Sequence, residues 1–363
     1  MLYLLKKMIK KNKILYKITF NLYRWYYINI RNFISKEISL KQKINYKRCA
    51  RSAKKGLPLS QGHPVLLCIE PTNCCNLKCP ICETGADVLG REKKMMNLRD
   101  FKYILDQFDE NLTHMFFYFM GEPFLNREGY EMVRYAVNRG IWVSTCVNAG
   151  FIDPQKLVDS GISEVNFQIA GMTQEVHEIY RVNSKLKDVF TALEETIRLK
   201  NKSDSKNKDM KIIVGYILMK HNEHQVEDFK DYCKKIGVDD YNIIGTTART
   251  AEQFKKYMPT DKDYHRFISE EAYEKNKLVP RHRPDNYCGW IYSSTTIMVN
   301  GDVVPCCYDP TGKYVLGNVF HENFYDIWNN EKYQYIRKQV ANDSNNFDLC
   351  QLCFGEKIPP IIR

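Results

Sequence analysis

Three cysteines spaced Cys75-x3-Cys79-x2-Cys82 stand directly behind a short apolar run at residues 65–70. No other feature limits the fold as tightly. A strand that ends in a ligand-rich loop puts that loop at the C-terminal face of a parallel barrel, where active sites assemble. Three thiolates can hold three irons of a four-iron cluster and leave the fourth open to a small chelating molecule. The competing reading recruits Cys74 for a four-sulfur structural zinc site. Adjacent cysteines project in different directions and rarely ligate one ion together.

The surrounding pattern alternates β-rich runs with helix-length periodic segments, which predicts βα units on a parallel sheet. Strands are expected at residues 65–70, 113–119, 141–147, 164–169, 211–219 and 241–244. One helix face is marked by Leu98, Phe101, Ile104, Leu105 and Phe108; another, Val226, Phe229, Cys233 and Ile236, stops at Gly237. Asp153 before Pro154 reads as an N-cap with proline at the first helical position. The expected fold is α/β: a partial (β/α)6 TIM-like barrel at 61–250, a small cysteine-rich domain at 251–363 and a basic amphipathic segment at 1–60. Residues 201–209 read as a polar loop and 251–285 as a charged connector without strand character.

The charge is unevenly placed. Residues 1–60 hold sixteen Lys and Arg against Glu37 alone, whereas the remainder carries 38 basic and 42 acidic residues. Leucine, isoleucine and tyrosine alternate with lysine through residues 2–20, and Trp25, Tyr26 and Tyr27 follow. Such a segment suits either a membrane surface or packing on its own domain. A nucleic-acid arm is disfavoured, since phosphate binding needs no such load of apolar residues. No apolar run reaches the roughly 18 residues that span a bilayer, and no secretory signal is evident. Thirteen cysteines, an odd number in CxxC-like groups, suit reduced metal-binding thiols. The expected location is cytoplasmic, with peripheral attachment to the inner face of the membrane through 1–60.

The cysteine loop resembles that of the radical S-adenosylmethionine (SAM) enzymes, which share its C-x3-C-x2-C spacing and its position. The resemblance implies a 4Fe-4S cluster on Cys75, Cys79 and Cys82 whose open iron takes the amino and carboxylate groups of SAM. Reductive cleavage to a 5'-deoxyadenosyl radical then allows hydrogen abstraction from substrate. Met120-Gly121-Glu122-Pro123 is similar to the family's Gly-Glu-Pro segment, whose backbone receives the SAM amino group. Asn148-Ala149-Gly150 stands where a Thr-Asn-Gly-like turn is usual, which makes Asn148 a candidate for cofactor contact. Many relatives carry Ser-x-Asp-Gly after the fourth strand, but this chain has Gln168-Ile169-Ala170-Gly171. Gln168 is then left to hydrogen-bond the cofactor and Arg181 to pair with its carboxylate. His177 and His224 read as exposed helix residues and not as bases. No catalytic residue is assigned.

Cys288, Cys306, Cys350 and Cys353, with Leu316-Gly317-Asn318-Val319 and Asp326-Ile327-Trp328-Asn329 between them, resemble the SPASM/twitch extension of that family. The implied content is one auxiliary 4Fe-4S cluster with Cys307 spare, four thiolates suiting electron transfer better than substrate binding. A structural zinc is the competing reading. Cys68, Cys146 and Cys233 read as small core residues; Cys49 also lies outside both groups. The expected enzyme abstracts hydrogen from a carbohydrate-like or peptide substrate, for oxidation or epimerisation, with an electron donor such as flavodoxin or ferredoxin. The chain ahead of the barrel does not resemble a winged-helix peptide-recognition module, which leans the expectation toward a carbohydrate or lipid-linked small molecule. The rival is a non-catalytic zinc-stapled adaptor that binds nucleic acid or membrane through its basic arm.

Overall fold

The computed structural model describes residues 38–202, 209–281 and 286–354. Six parallel strands, β1 (Leu66–Ile69), β2 (His114–Phe116), β3 (Trp142–Val147), β4 (Glu164–Ile169), β5 (Lys211–Leu218) and β6 (Asp240–Gly245), lie side by side in chain order. They are the strands expected from the sequence, and with their outer helices they form the partial barrel. The pleat sorts their side chains. Val165, Phe167 and Ile169 on β4, and Ile212, Val214, Tyr216 and Leu218 on β5, are buried in the main core. Alternation therefore turns Glu164, Asn166 and Gln168, with Ile213, Gly215 and Ile217, to the inner face.

The helices form where caps and periodicity meet. Among them, α1 spans Leu40–Lys55, α2 Leu98–Asp106, α3 Gly129–Asn138, α4 Pro154–Asp159, α5 Gln174–Tyr180, α6 Leu186–Lys202 and α7 Val226–Ile236. Asp153 caps α4 by accepting from the Lys156 amide. Gly237 ends α7 at φ 72°, a conformation open to glycine at little cost. Asn201 and Lys202 continue α6, and 203–208, the middle of the expected loop, lie outside the described residues.

The first helix, α1, belongs to the expected N-terminal segment. Ser39 and Gln42 form a capping box, and Tyr46, Cys49, Ala50 and Ala53 are buried. Over this stretch the basic segment packs on its own domain, helped by Asn45 donating to the His63 carbonyl at 2.9 Å. The amphipathic and aromatic run that motivated the membrane reading lies outside the described residues. No helix among the described residues is long and apolar enough to cross a membrane.

The C-terminal region continues the same sheet. β7 (Ser294–Ile297) pairs parallel to β1 on the side away from β2, and β8 (Asp302–Val304) and β9 (Gly317–Asn318) follow antiparallel. Ser-Thr-Thr-Ile carries little hydrophobic signal. It becomes a strand because the free edge of β1 offers it backbone partners. Residues 251–281 of the connector hold the helices Ala251–Tyr257 and Ser269–Glu274 around Phe254, Met258, Phe267 and Ala272.

A buried cation ties these parts together. Arg337 is 0% exposed and lies 4.7, 4.5 and 5.3 Å from the ring centroids of Trp328, Tyr333 and Tyr292. Its guanidinium donates to the carbonyls of Ile291, Pro58 and Trp328 and to Asn329 Oδ1. Burial holds its pKa down at about 10. Aromatic faces and carbonyl dipoles balance the charge where no carboxylate among the described residues is bonded to it.

Candidate active site

The loop between β1 and α2 brings its three thiols into one apolar group. Cys79 is buried, Cys75 and Cys82 are half-buried, and all pack with Leu77, Ile81, Ala170, Tyr180, Met219 and Tyr257. The loop is pinned from several sides. Lys78 N–H donates to the Val182 carbonyl at 3.1 Å, Arg249 donates to the Pro80 carbonyl at 3.2 Å, and Ala86 N–H to the Cys82 carbonyl at 2.8 Å. Gly85 lies so close that a Cβ there would stand 2.5 Å from the Cys79 amide nitrogen.

Burial pushes the Cys75 thiol up to about 12 and raises Cys79; Cys79 and Cys82 raise Cys75 further, and Cys82 raises Cys79. Buried thiols crowded in this way ionise together only around a strongly cationic centre. The donor set thus fits an iron-sulfur cluster. Among the described residues no three or more His, Cys, Asp or Glu side chains converge as ligands of a single metal ion. Cys74 takes another course, its backbone N–H bonded to Thr72 Oγ1 and its carbonyl accepting from Glu122 N–H at 2.8 Å.

The segment Met120–Pro123 lies against this loop. Gly121 adopts φ 86°, and a Cβ on it would meet the Thr72 and Cys74 carbonyl oxygens at 2.5 and 2.6 Å. Only glycine fits such a crossing. Met120 N–H is held at 3.3 Å by Glu70, a 0% exposed carboxylate that also takes Val299 N–H and both terminal nitrogens of Arg91. Glu122 is buried. Its Oε2 accepts from Asn148 N–H at 2.9 Å, while Oε1 has no hydrogen-bond partner among the described residues. Burial lifts its pKa to about 7, opposed by the Asn148 bond and by Arg181.

Arg181, the C-cap of α5, stands beside Cys79 and offsets that thiol's burial. Its Nε is buried without a partner among the described residues, a free donor for an anionic ligand group. Asn148 sits at the end of β3 with Nδ2 3.0 Å from Asn76 Oδ1 and 3.7 Å from Cys75 Sγ. Gln168 donates to Asn166 Oδ1 at 2.7 Å and lies over Gly215, where a Cβ would collide with it at 2.3 Å. The structure thus brings Gly121, Glu122, Asn148 and Arg181 around the thiols, and it leaves Gln168 on the inner wall.

Two expectations change. His177 is 0% exposed and not on the surface: Nδ1 faces the Ala170 amide at 3.3 Å and Nε2 the Ser184 hydroxyl at 3.0 Å. Burial and Arg181 hold its pKa down to about 3, so it is a neutral pin between β4 and α5; His224 is exposed as expected. Cys146 is not a core filler either. It is half-buried on the inner face, where the Tyr118 hydroxyl donates to its sulfur. Cys68 and Cys233 are buried, as expected.

The second cysteine group gathers from three parts of the chain. Cys288 and Cys306 pack with Leu66, Cys68, Trp290, Phe116 and Phe119 beside β1. Cys353 N–H donates to the Cys350 carbonyl at 3.2 Å, which closes a tight turn. Cys288 is raised to about 12 by burial and then by Cys353 and Cys350, and Cys306 feels Cys288 and Cys353. Cys307 lies within electrostatic reach of Tyr118. Sequence reasoning missed Glu70, Asn76, Tyr118 and Arg249. Only Glu70, a carboxylate at the end of an apolar strand, carried a visible signal.

Three thiols gathered in the loop after β1, with a second thiol set beside the continuing sheet, define an iron-sulfur enzyme of barrel type. Residues 69–236 match the Radical SAM superfamily model, and residues 288–354 match the SPASM iron-sulfur cluster-binding domain. Its cofactors are accordingly SAM and a 4Fe-4S cluster. These matches do not favour the zinc-stapled adaptor. The antilisterial bacteriocin subtilosin biosynthesis protein AlbA of Bacillus subtilis (strain 168) is 24% identical over 326 residues, 84% of this chain and 68% of AlbA. The AdoMet-dependent heme synthase of Oleidesulfovibrio alaskensis is 23% identical over 330 residues, 78% of this chain and 80% of the synthase. Streptococcus suis SuiB bound to precursor peptide SuiA superposes with a TM-score of 0.60 at 17% identity, covering 88% of this chain and 78% of SuiB.

Proposed function

We propose that this radical SAM enzyme takes a hydrogen atom from a peptide substrate held on the inner face of the barrel. The observation that carries the reading is the convergence of Cys75, Cys79 and Cys82 in one apolar mouth with Gly121, Glu122, Asn148 and Arg181 around it. SAM and the cluster supply, when bound, a carbon-centred radical able to abstract hydrogen. The chain's own side chains do the rest. Gly121 lets the Met120–Pro123 backbone cross the cysteine loop, and Arg181 would offer its free Nε to the carboxylate. Leu77, Ile81, Tyr180, Met219 and Tyr257 keep water from the cluster. On the inner face Asn166, Gln168 and Asn242 present amides, which match the donor and acceptor pairs of a peptide backbone.

AlbA acts in the synthesis of a bacteriocin and SuiB binds a precursor peptide. Both support a peptide over the carbohydrate or lipid-linked substrate toward which the N-terminal sequence leaned. Cys288, Cys306, Cys350 and Cys353 hold one auxiliary cluster in this reading, with flavodoxin or ferredoxin as external donor. Cys146 beside Tyr118 favours a second outcome, redox-neutral for the substrate: the thiol would return a hydrogen atom to the substrate radical, and the thiyl left behind would be restored by one electron, passed from the external donor through the auxiliary cluster, and one proton. The test is anaerobic purification with iron and sulfide analysis, then reduction in the presence of SAM. The wild type yields 5'-deoxyadenosine and Cys75→Ala, Cys79→Ala and Cys82→Ala do not, while deuterium moves from labelled peptides, and not from labelled sugars, into the nucleoside. A variant trio that still cleaves SAM overturns the site.

A further inference from the structure

The amide of Asn148 is aimed at a sulfur. Its backbone N–H is taken by Glu122 Oε2 at 2.9 Å, and its side-chain Oδ1 accepts Gly150 N–H at 3.0 Å. With Oδ1 committed to a backbone donor, the amide cannot be turned over. A flip would set NH2 against N–H and oxygen against the thiolate. The Nδ2 group therefore has a fixed direction. One hydrogen goes to Asn76 Oδ1 at 3.0 Å and the other faces Cys75 Sγ at 3.7 Å. Leu77 N–H reaches the same sulfur at 3.4 Å.

Asn148 is 3% exposed, so water does not compete for these bonds. Ala149, at φ 64°, makes the turn that returns Gly150 N–H to Oδ1. A Cβ on Gly150 would stand 3.1 Å from Asn76 Nδ2 and 3.3 Å from Asn148 Oδ1, so a bare glycine leaves room for the arrangement. The pair Asn76–Asn148 thus spans from the cysteine loop to the end of β3 and closes over Cys75.

We infer that Asn148 is a positioning residue for the cluster and not a contact for the nucleotide: its N–H···S bond to Cys75 raises the cluster's reduction potential. This rests on the reading that Cys75, Cys79 and Cys82 are the cluster ligands. A reduced cluster carries one more negative charge, much of it on sulfur. A hydrogen-bond donor at a ligating thiolate therefore stabilises the reduced form more than the oxidised one. Removing the donor moves the midpoint negative, on the order of a tenfold change in the reduction equilibrium, about 59 mV for one electron. Aspartate at the same position loses the donor and adds a charge, so it moves the midpoint further.

The experiment is an electron paramagnetic resonance redox titration of the full-length, anaerobically reconstituted protein, without SAM. The signal of the three-cysteine site is identified by its change when SAM is added afterwards. Expected for Asn148→Ala and Asn148→Asp is retained iron and sulfide with midpoints falling in the order wild type, Ala, Asp. Equal midpoints in all three proteins overturn the inference, as does a constant SAM-free midpoint with loss of the SAM-induced change, which makes Asn148 a nucleotide contact. Loss of the cluster from both variants overturns it as well, since Asn148 then serves assembly. A wild type with no SAM-responsive signal, or one that survives Cys75→Ala, sinks the ligand reading instead.

Discussion

Replacing Gly121 by alanine tests how the cysteine loop and the Met120–Pro123 segment depend on one another. The backbone stands at φ 86°, where an L-residue costs roughly 1–2 kcal/mol. The new methyl would meet the Thr72 and Cys74 oxygens at 2.5 and 2.6 Å, whereas ordinary contact begins at 3.4 Å. Both carbonyls are backbone atoms, so about 0.9 Å of loop movement is needed and no side chain can absorb it. The Cys74 carbonyl also accepts Glu122 N–H at 2.8 Å, and losing that bond costs roughly 1–3 kcal/mol.

The total is about 2–5 kcal/mol, spent next to Cys75. Part falls on stability and part on the site. At about 1.4 kcal/mol per decade, Gly121→Ala is expected to weaken SAM binding by roughly tenfold or more and to lower the melting temperature by a few degrees. Calorimetric SAM titration and thermal melts of the reconstituted protein measure both. Gly140→Ala is the control: it shares a positive φ of 76°, but a Cβ there meets nothing within 4 Å. It should lose a little stability and no SAM affinity. If Gly121→Ala bound SAM like the wild type, the crossing of the two segments would not be what shapes the nucleotide site.

Arg337→Met keeps the length of the side chain but leaves the Ile291, Pro58 and Trp328 carbonyls without their donor, while Asn329 Oδ1 keeps the Ser60 N–H. At roughly 1–3 kcal/mol for each unsatisfied group, chemical denaturation should show a loss of several kcal/mol, and an unchanged midpoint would contradict the buried-cation account. His177 links stability to pH. Its folded pKa, about 3, lies below the unfolded 6.5, so the unfolded chain binds more protons between these values and stability rises with pH there. The contribution is fully present above about pH 6.5 and drains away on acidification by up to about 1.4 kcal/mol per unit. His177→Gln should flatten the slope of melting temperature between pH 6.5 and 4.5; parallel slopes would refute the assignment.

The barrel was legible before any coordinates because its signals are local. Period-two strands, the Asp153-Pro154 helix start and the Gly237 stop depend on residues next to one another in the chain, and so does the spacing of Cys75, Cys79 and Cys82. The arrangement around those thiols is not local. Ser294–Ile297 reads as weakly polar sequence and becomes β7 only because β1 has an edge to fill. His177 looks like a surface helix residue, yet the turn at Ser184 and the end of β4 close over it. Cys146 passes for a core filler until the pleat and Tyr118 turn it inward. Which amide of Asn148 faces Cys75 depends on an acceptor two residues later and a partner in a loop 72 positions earlier. Covalent spacing sets which groups can ligate iron; the partners that orient and bury them come from distant segments, and only packing brings those together.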